Sequence, residues 1–170
     1  RWGESAEKNF VAAVRAGVGV VVIHAANNAF EGWKEYEEIV ALCWREGTGH
    51  GSFHPFDVTI TDRDHPVTRD LADMTGHPDE LYHRLVPMHG TEYRVLATAH
   101  SAVEAGGTGE AEPMVIVKQY GQGRVFHTPL GHVWVDAADQ KISHRDPQFR
   151  ELVVRGTAWA ATGEVSVSAR

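Results

Sequence analysis

Only one cysteine occurs in the 170 residues, so an internal disulfide is excluded and any thiol chemistry rests on Cys43 alone. Runs of positive charge are missing as well. Against 16 lysines and arginines stand 23 acidic residues, a net charge of −7, which disfavours nucleic acid and anionic membrane surfaces as partners. No apolar stretch approaches the length of a bilayer span, and no signal-peptide pattern is visible. A cytoplasmic location is favoured, with export left open because the chain opens at Arg1, without methionine and already in a helical pattern. An α/β domain normally opens on a strand, so an N-terminal strand of the fold is expected to be missing from this stretch.

Familiar cofactor signatures are also absent. Gly17-Val18-Gly19 precedes a strand instead of following one, the reverse of the dinucleotide fingerprint. There is no GxxxxGK phosphate loop, no GxSxG nucleophile elbow and no HExxH zinc helix. Readings that need bound NAD or ATP fall away accordingly.

What the chain does have is histidine, eleven of them, and five tryptophans. Histidine at this density serves metal binding, acid–base work or polar surface. The length suits one domain over 1–170, with enough residues to bury a sizeable core. Its most informative stretch is Val18-Gly19-Val20-Val21-Val22-Ile23-His24-Ala25-Ala26-Asn27-Asn28. Five of the first six residues are β-branched, the pattern of a strand covered on both faces, as in a parallel sheet flanked by helices. Ligands in such sheets sit beyond the carboxyl ends of the strands, which is where His24, Asn27 and Asn28 fall.

Around that strand the pattern alternates. A helix capped by Ser5 runs to about residue 16, with Gly17 as its stop. A second helix is expected over 33–45, carrying Trp33, Tyr36, Glu37, Val40 and Trp44 on one face. Cys43 sits in it among Ile39, Val40 and Leu42, an inert core thiol rather than a nucleophile. The Gly-rich segment 47–55 is irregular, and strands are expected over 56–60, 80–86 and 93–99. A short helical turn is expected over 66–74. Residues 114–119 and 124–128 form a hairpin through Tyr120-Gly121-Gln122-Gly123. After a loop over 129–145, Asp146 caps a final helix with Pro147 at its first position. Helix–strand–helix alternation marks a doubly wound sheet.

Several residues could carry chemistry. His24 is a ligand or acid–base group by position, the alternative being a histidine satisfied by loop carbonyls. Gly131-His132 follows the last strand, and a glycine there lets the imidazole turn back over the sheet. Two imidazoles at neighbouring strand ends could share a substrate or a divalent metal such as zinc. Asp79-Glu80 is followed by Tyr82, with His83 and His89 nearby. Neighbours on a strand point to opposite faces, so one carboxylate faces the cleft, and Glu80 shares its face with Tyr82. A carboxylate beside a tyrosine and histidines suits proton abstraction or metal binding, the alternative being a solvated pair. Asp62 and Asp64 read as turn caps before Pro66. His50 and His54 have metal-ligand spacing only on a helix, and the glycines around them argue against one.

Taken in order, GVGVVVIHAANNAF, FHPFDVTITDRDHPVTRDL, DELYHRLVP, EYRVLATAHS, EPMVIVKQYGQGRVFHTPLGH and DPQFRELVVRGTAWA resemble the ThuA-like, trehalose utilisation family over roughly residues 5–162. The resemblance implies the class I glutamine amidotransferase-like fold, a flavodoxin-like three-layer sandwich with a mostly parallel sheet. Where the amidotransferases place a nucleophilic cysteine, this chain has His24, which implies no glutaminase activity; their catalytic histidine falls near His127 and His132. The family's association with disaccharides and keto-sugars implies a substrate such as trehalose or its 3-keto derivative, processed by hydrolysis or isomerisation. His24, Glu80 and His132 would be the catalytic groups, and His24 and His132 metal ligands. Asn27, Asn28, Tyr82 and Trp134 would bind the sugar; Trp33 is the other candidate for stacking, with core packing as its alternative. The competing possibilities are a noncatalytic carbohydrate-binding or scaffolding module that keeps the cleft, and a homo-oligomer whose site is completed across an interface.

Overall fold

The structure is a computed structural model, and it describes residues 1–133 and 141–166. Helix α1 (Glu4–Arg15) leads into strand β1 (Val20–Ile23), and a short 3-10 turn (His24–Asn28) connects β1 to α2 (Lys34–Val40). Seven strands follow: β2 (Leu42–Cys43), β3 (Gly49–His50), β4 (His54–Ile60), β5 (Met74–Asp79), β6 (Tyr82–His83), β7 (Val86–Pro87) and β8 (Arg94–His100). The hairpin β9 (Ala111–Tyr120) and β10 (Gly123–Thr128) comes next, then α3 (Ile142–Arg145) and α4 (Pro147–Thr162).

Six strands form one sheet in the order β1-β10-β9-β8-β4-β5, and β2-β7 and β3-β6 pair separately. The sheet is mixed, which corrects the expectation of a mostly parallel one. Only β1 and β10 run parallel, from Val20 opposite Val125 to Ile23 opposite Thr128. The other four pairings of the sheet are antiparallel. Connection length explains the tightest of these pairings. Parallel neighbours need a crossover of a dozen or more residues, whereas β9 turns into β10 through Gly121 and Gln122 alone.

Helices cover both faces of this sheet, as the β-branched strand implied. Side chains alternate along a strand, so Val125 and Phe126 of β10 enter different cores. Val125 joins Val22 with Val14 of α1 and Tyr36, Ile39 and Val40 of α2. Phe126 joins Leu96 and Met114 with Phe149, Leu152 and Trp159 of α4. Gly156 lets α4 lie directly on the Phe126 ring, because a Cβ there would come within 2.5 Å of ring carbons. Asp146 caps α4 as expected, accepting from the Gln148 N–H at 2.9 Å, with Pro147 in the first turn.

Three other expectations change. The second helix stops at Val40, because Ala41 adopts φ +69° and sends the chain into β2; Cys43 is therefore on a strand, opposite Val86. The expected strand over 80–86 is two short strands, β6 and β7, interrupted at Arg84 with φ +56°. Residues 66–70 are turn rather than helix, 71–73 are irregular, and β5 begins at Met74. Among the described residues no helix is long and apolar enough to cross a membrane.

Candidate functional site

Parallel pairing sets the carboxyl ends of β1 and β10 side by side, with Ile23 opposite Thr128. His24 follows the first directly, and Pro129, Leu130, Gly131 and His132 follow the second. His24 takes φ +47°, a left-handed conformation uncommon for a residue with a side chain, which lifts its ring off the strand direction. Its Nδ1–H donates to the Pro129 carbonyl at 2.8 Å. That bond fixes the tautomer and leaves the Nε2 lone pair outward. Tyr82 donates its hydroxyl to this Nε2 at 2.9 Å, and His132 Nδ1 lies 3.0 Å from it. The same His132 nitrogen lies 3.0 Å from Glu80 Oε2.

Four residues singled out in the sequence, His24, Glu80, Tyr82 and His132, thus converge. One ligand atom each from His24, Glu80 and His132 lies within 4.8 Å of the others. Burial pulls the His24 imidazole below the usual histidine range, against the Pro129 carbonyl. His132 is lowered by burial too, with the Glu80 carboxylate opposing. Burial, reinforced by Glu80, drives the Tyr82 phenol up, so it remains a hydrogen-bond donor. With two acceptors, His24 Nε2 and Glu80 Oε2, in front of it, His132 Nδ1 carries its proton here; in the other tautomer of His132 the two imidazole nitrogens and the carboxylate form a fitting donor set for a divalent cation of the zinc type.

Asp79 organises this corner, and here the sheet has to curl. Although β5 ends the strand order, its Asp79 accepts from the N–H groups of Gly131 (2.6 Å) and His132 (3.1 Å) beyond β10. It also accepts from the Glu80 N–H at 2.8 Å and from His77 Nε2 at 3.0 Å. His77 Nδ1 contacts Asp146 at 2.6 Å. Burial opposes charge on His77 but two flanking carboxylates outweigh it and raise its pKa. Burial likewise opposes charge on Asp79, yet the His77 and backbone donors hold the carboxyl below its ordinary value. Gly131 has φ +110°, and a Cβ there would sit 3.0 Å from both Ile23 Cγ2 and Phe149 Cζ.

At the rim, Trp44 meets the Tyr82 ring edge-on at 4.6 Å, and Phe53 lies 6.4 Å from the His132 ring. His50 Nδ1 is 3.8 Å from Glu80 Oε1. Sequence reasoning placed Trp44 on a helix face and passed over Phe53; the Gly-rich loop around His50 was the only available signal.

The remaining candidates lie elsewhere. Asn27 is fully buried with its amide nitrogen 3.4 Å from His127 Nε2, and Asn28 is exposed. His127 itself is in the core, donating to the Val40 carbonyl, and burial pushes its pKa down to about 4. Of the two histidines near the amidotransferase position, His132 is the one in the cluster. Trp134 falls outside the described residues. Trp33 is 4% exposed and stacks on Tyr36 at 5.5 Å, so it is core. Burial raises the Cys43 thiol to about 12, in keeping with an inert role. His54 bonds the Ser52 carbonyl, His89 pairs with Glu37, and Asp62 pairs with Arg94.

Comparison with known proteins bears on the whole chain. The family described as ThuA, trehalose utilisation, matches residues 2–160. A ThuA-like protein from Parabacteroides merdae is similar in structure with a TM-score of 0.90 and 33% identity, over 99% of this chain and 69% of its own. A second, from Bacteroides uniformis, has a TM-score of 0.69 at 17% identity over 96% of this chain and 67% of its own. A Salmonella typhimurium protein described as cytoplasmic has a TM-score of 0.59 at 14% identity, over 95% and 62%. These last two show the fold alone. None of the curated proteins matches significantly.

Proposed function

The chain belongs to the ThuA, trehalose utilisation, family, and from that premise we propose that it acts on a disaccharide such as trehalose or its 3-keto derivative. The reaction is hydrolysis or isomerisation at a site made by His24, Glu80 and His132. One observation carries the reading: two imidazole nitrogens and a carboxylate converge where β1 and β10 end, with their ligand atoms within 4.8 Å.

His24 Nε2 and His132 Nδ1 would hold a divalent cation together with Glu80. When bound, such an ion polarises a carbonyl or lowers the pKa of water. The chain's own groups account for the rest. A 3-keto group acidifies its neighbouring C–H bonds, and the Glu80 carboxylate can take up that proton through its second oxygen. Tyr82, kept protonated, would give up its bond to His24 Nε2 when that nitrogen holds the cation and offer its hydroxyl to an oxygen on which charge develops. Trp44 and Phe53 at the rim present ring surfaces of the kind sugars stack on.

The test is metal content of the purified chain together with turnover of 3-keto-trehalose. About one divalent ion per chain is expected, with turnover lost in His24→Ala and Glu80→Gln. A metal-free protein inert on every keto-sugar would overturn the catalytic reading. Sugar binding by calorimetry that survives His24→Ala unchanged would assign the cleft to a binding module instead.

A further inference from the structure

Two adjacent carboxylates reach the same corner of the molecule, and their surroundings differ. Glu80 Oε2 meets His132 Nδ1. Asp79, fully buried, receives four hydrogen bonds on its two oxygens. Oδ1 accepts from the N–H groups of Glu80 and His132, and Oδ2 from the Gly131 N–H and His77 Nε2. A carboxylate occupied in this way has little left to offer a cation or a substrate. Its donors, however, include the peptide N–H groups of two of the three residues that supply ligands, Glu80 and His132.

We infer that Asp79 is a positioning residue that sets the separation of Glu80 and His132, with His77 and Asp146 anchoring it to the first turn of α4. Asp79 is bonded to both sides of the gap between the end of β5 and the loop after β10. His77 lies between it and Asp146 at 3.0 and 2.6 Å, with its side chain wholly buried, so the anchor is rigid. Asp146 in turn caps α4 through Gln148. An asparagine at 79 must turn its NH₂ toward one pair of donors, losing either the Glu80 and His132 N–H groups or those of Gly131 and His77. In the first case Glu80 and His132 are held by side-chain packing alone; in the second Gly131 and the His77 anchor are released from residue 79. Outer-shell partners of this kind are worth about 10–100-fold in cation affinity. The inference rests on the reading that His24, Glu80 and His132 take a divalent cation.

Cobalt(II) titration of the purified chain tests it. The wild type is expected to take one Co²⁺ with the strong visible bands of a four- or five-coordinate ion. Folded Asp79→Asn is expected to bind about 10–100-fold more weakly, with altered bands. Loss of thermal stability with unchanged affinity and bands would mean a merely structural role and overturn the inference while the cation reading stands. If neither chain binds Co²⁺, the cation reading fails and the metal-free proteins decide the positioning. Histidine-ring ¹⁵N NMR must then show His132 shifted in Asp79→Asn with His127 unmoved, and an unshifted His132 overturns it. Should Asp79→Asn not fold, His77→Gln removes one of the four donors and carries the same measurements, with a loss of affinity expected and its absence refuting.

Discussion

Replacing Gly131 by alanine probes the join between fold and site. The residue adopts φ +110°, a region that side chains rarely occupy and whose cost is roughly 1–3 kcal/mol. The added methyl would also stand 3.0 Å from Ile23 Cγ2 and Phe149 Cζ and 3.4 Å from His144 Nε2. Each neighbour must give by a few tenths of an ångström in a packed region, an overpacking cost of roughly 1–3 kcal/mol. Together the two effects predict a loss of about 2–6 kcal/mol, a large share of the roughly 5–15 kcal/mol typical of a folded domain. The damage has a direction too. Pushing residue 131 away from Ile23 stretches its 2.6 Å bond to Asp79 and carries His132 with it. Urea denaturation should therefore show a lowered midpoint at an unchanged slope, and keto-sugar turnover should fall more than the folded fraction does. A Gly131→Ala protein within about 0.5 kcal/mol of wild type, a shift of the size seen for ordinary surface substitutions, would refute the packing argument; full activity in the folded fraction would refute the link to His132.

Acid should unfold the protein partly through His127. Its folded-state pKa of about 4 lies below the unfolded value of about 6.5, so its contribution is intact above pH 6.5 and lost as pH falls toward 4. The loss is roughly 3 kcal/mol by linkage; stability measured from pH 7 to 4 should fall less steeply in His127→Gln, and parallel curves would discard the attribution. Cys43, with its thiol raised to about 12 by burial, should resist aromatic disulfide reagents at pH 8 until denaturant exposes it. Rapid labelling of the native chain would show the β2 packing to be wrong.

How much of this was legible in the residues varies by element. The hairpin expected over 114–128 and the cap at Asp146-Pro147 were readable because turn and cap chemistry act over a few neighbours. The helix expected over 33–45 was overextended because apolar spacing continues through Leu42 and Trp44, while the chain turns at Ala41. Ile39 and Val40 are buried against the sheet, and Trp44 packs on Tyr82. Periodicity cannot distinguish those two destinations. His24 and His132 could be singled out because each sits just past a recognisable strand; Glu80 was singled out on an expected strand face shared with Tyr82, although it lies between β5 and β6. Asn27 was misleading for the opposite reason: a 3-10 turn follows His24 and rotates it inward toward His127.

By itself the order of residues determined β1, β4, β8, β9 and β10, and that His24 and His132 follow the ends of β1 and β10; these are local consequences of β-branching, glycine and capping side chains. Tertiary structure alone decided that one strand pair is parallel and the rest antiparallel, and that β5 curls around to bring Asp79 against Gly131. It also decided that His132 and not His127 completes the cluster. The physical reason is separation along the chain: bonds such as His24 to Pro129, Tyr82 to His24 and Asp79 to His132 join residues 105, 58 and 53 positions apart, and no local preference encodes which of the possible partners the folded sheet will bring within hydrogen-bond distance.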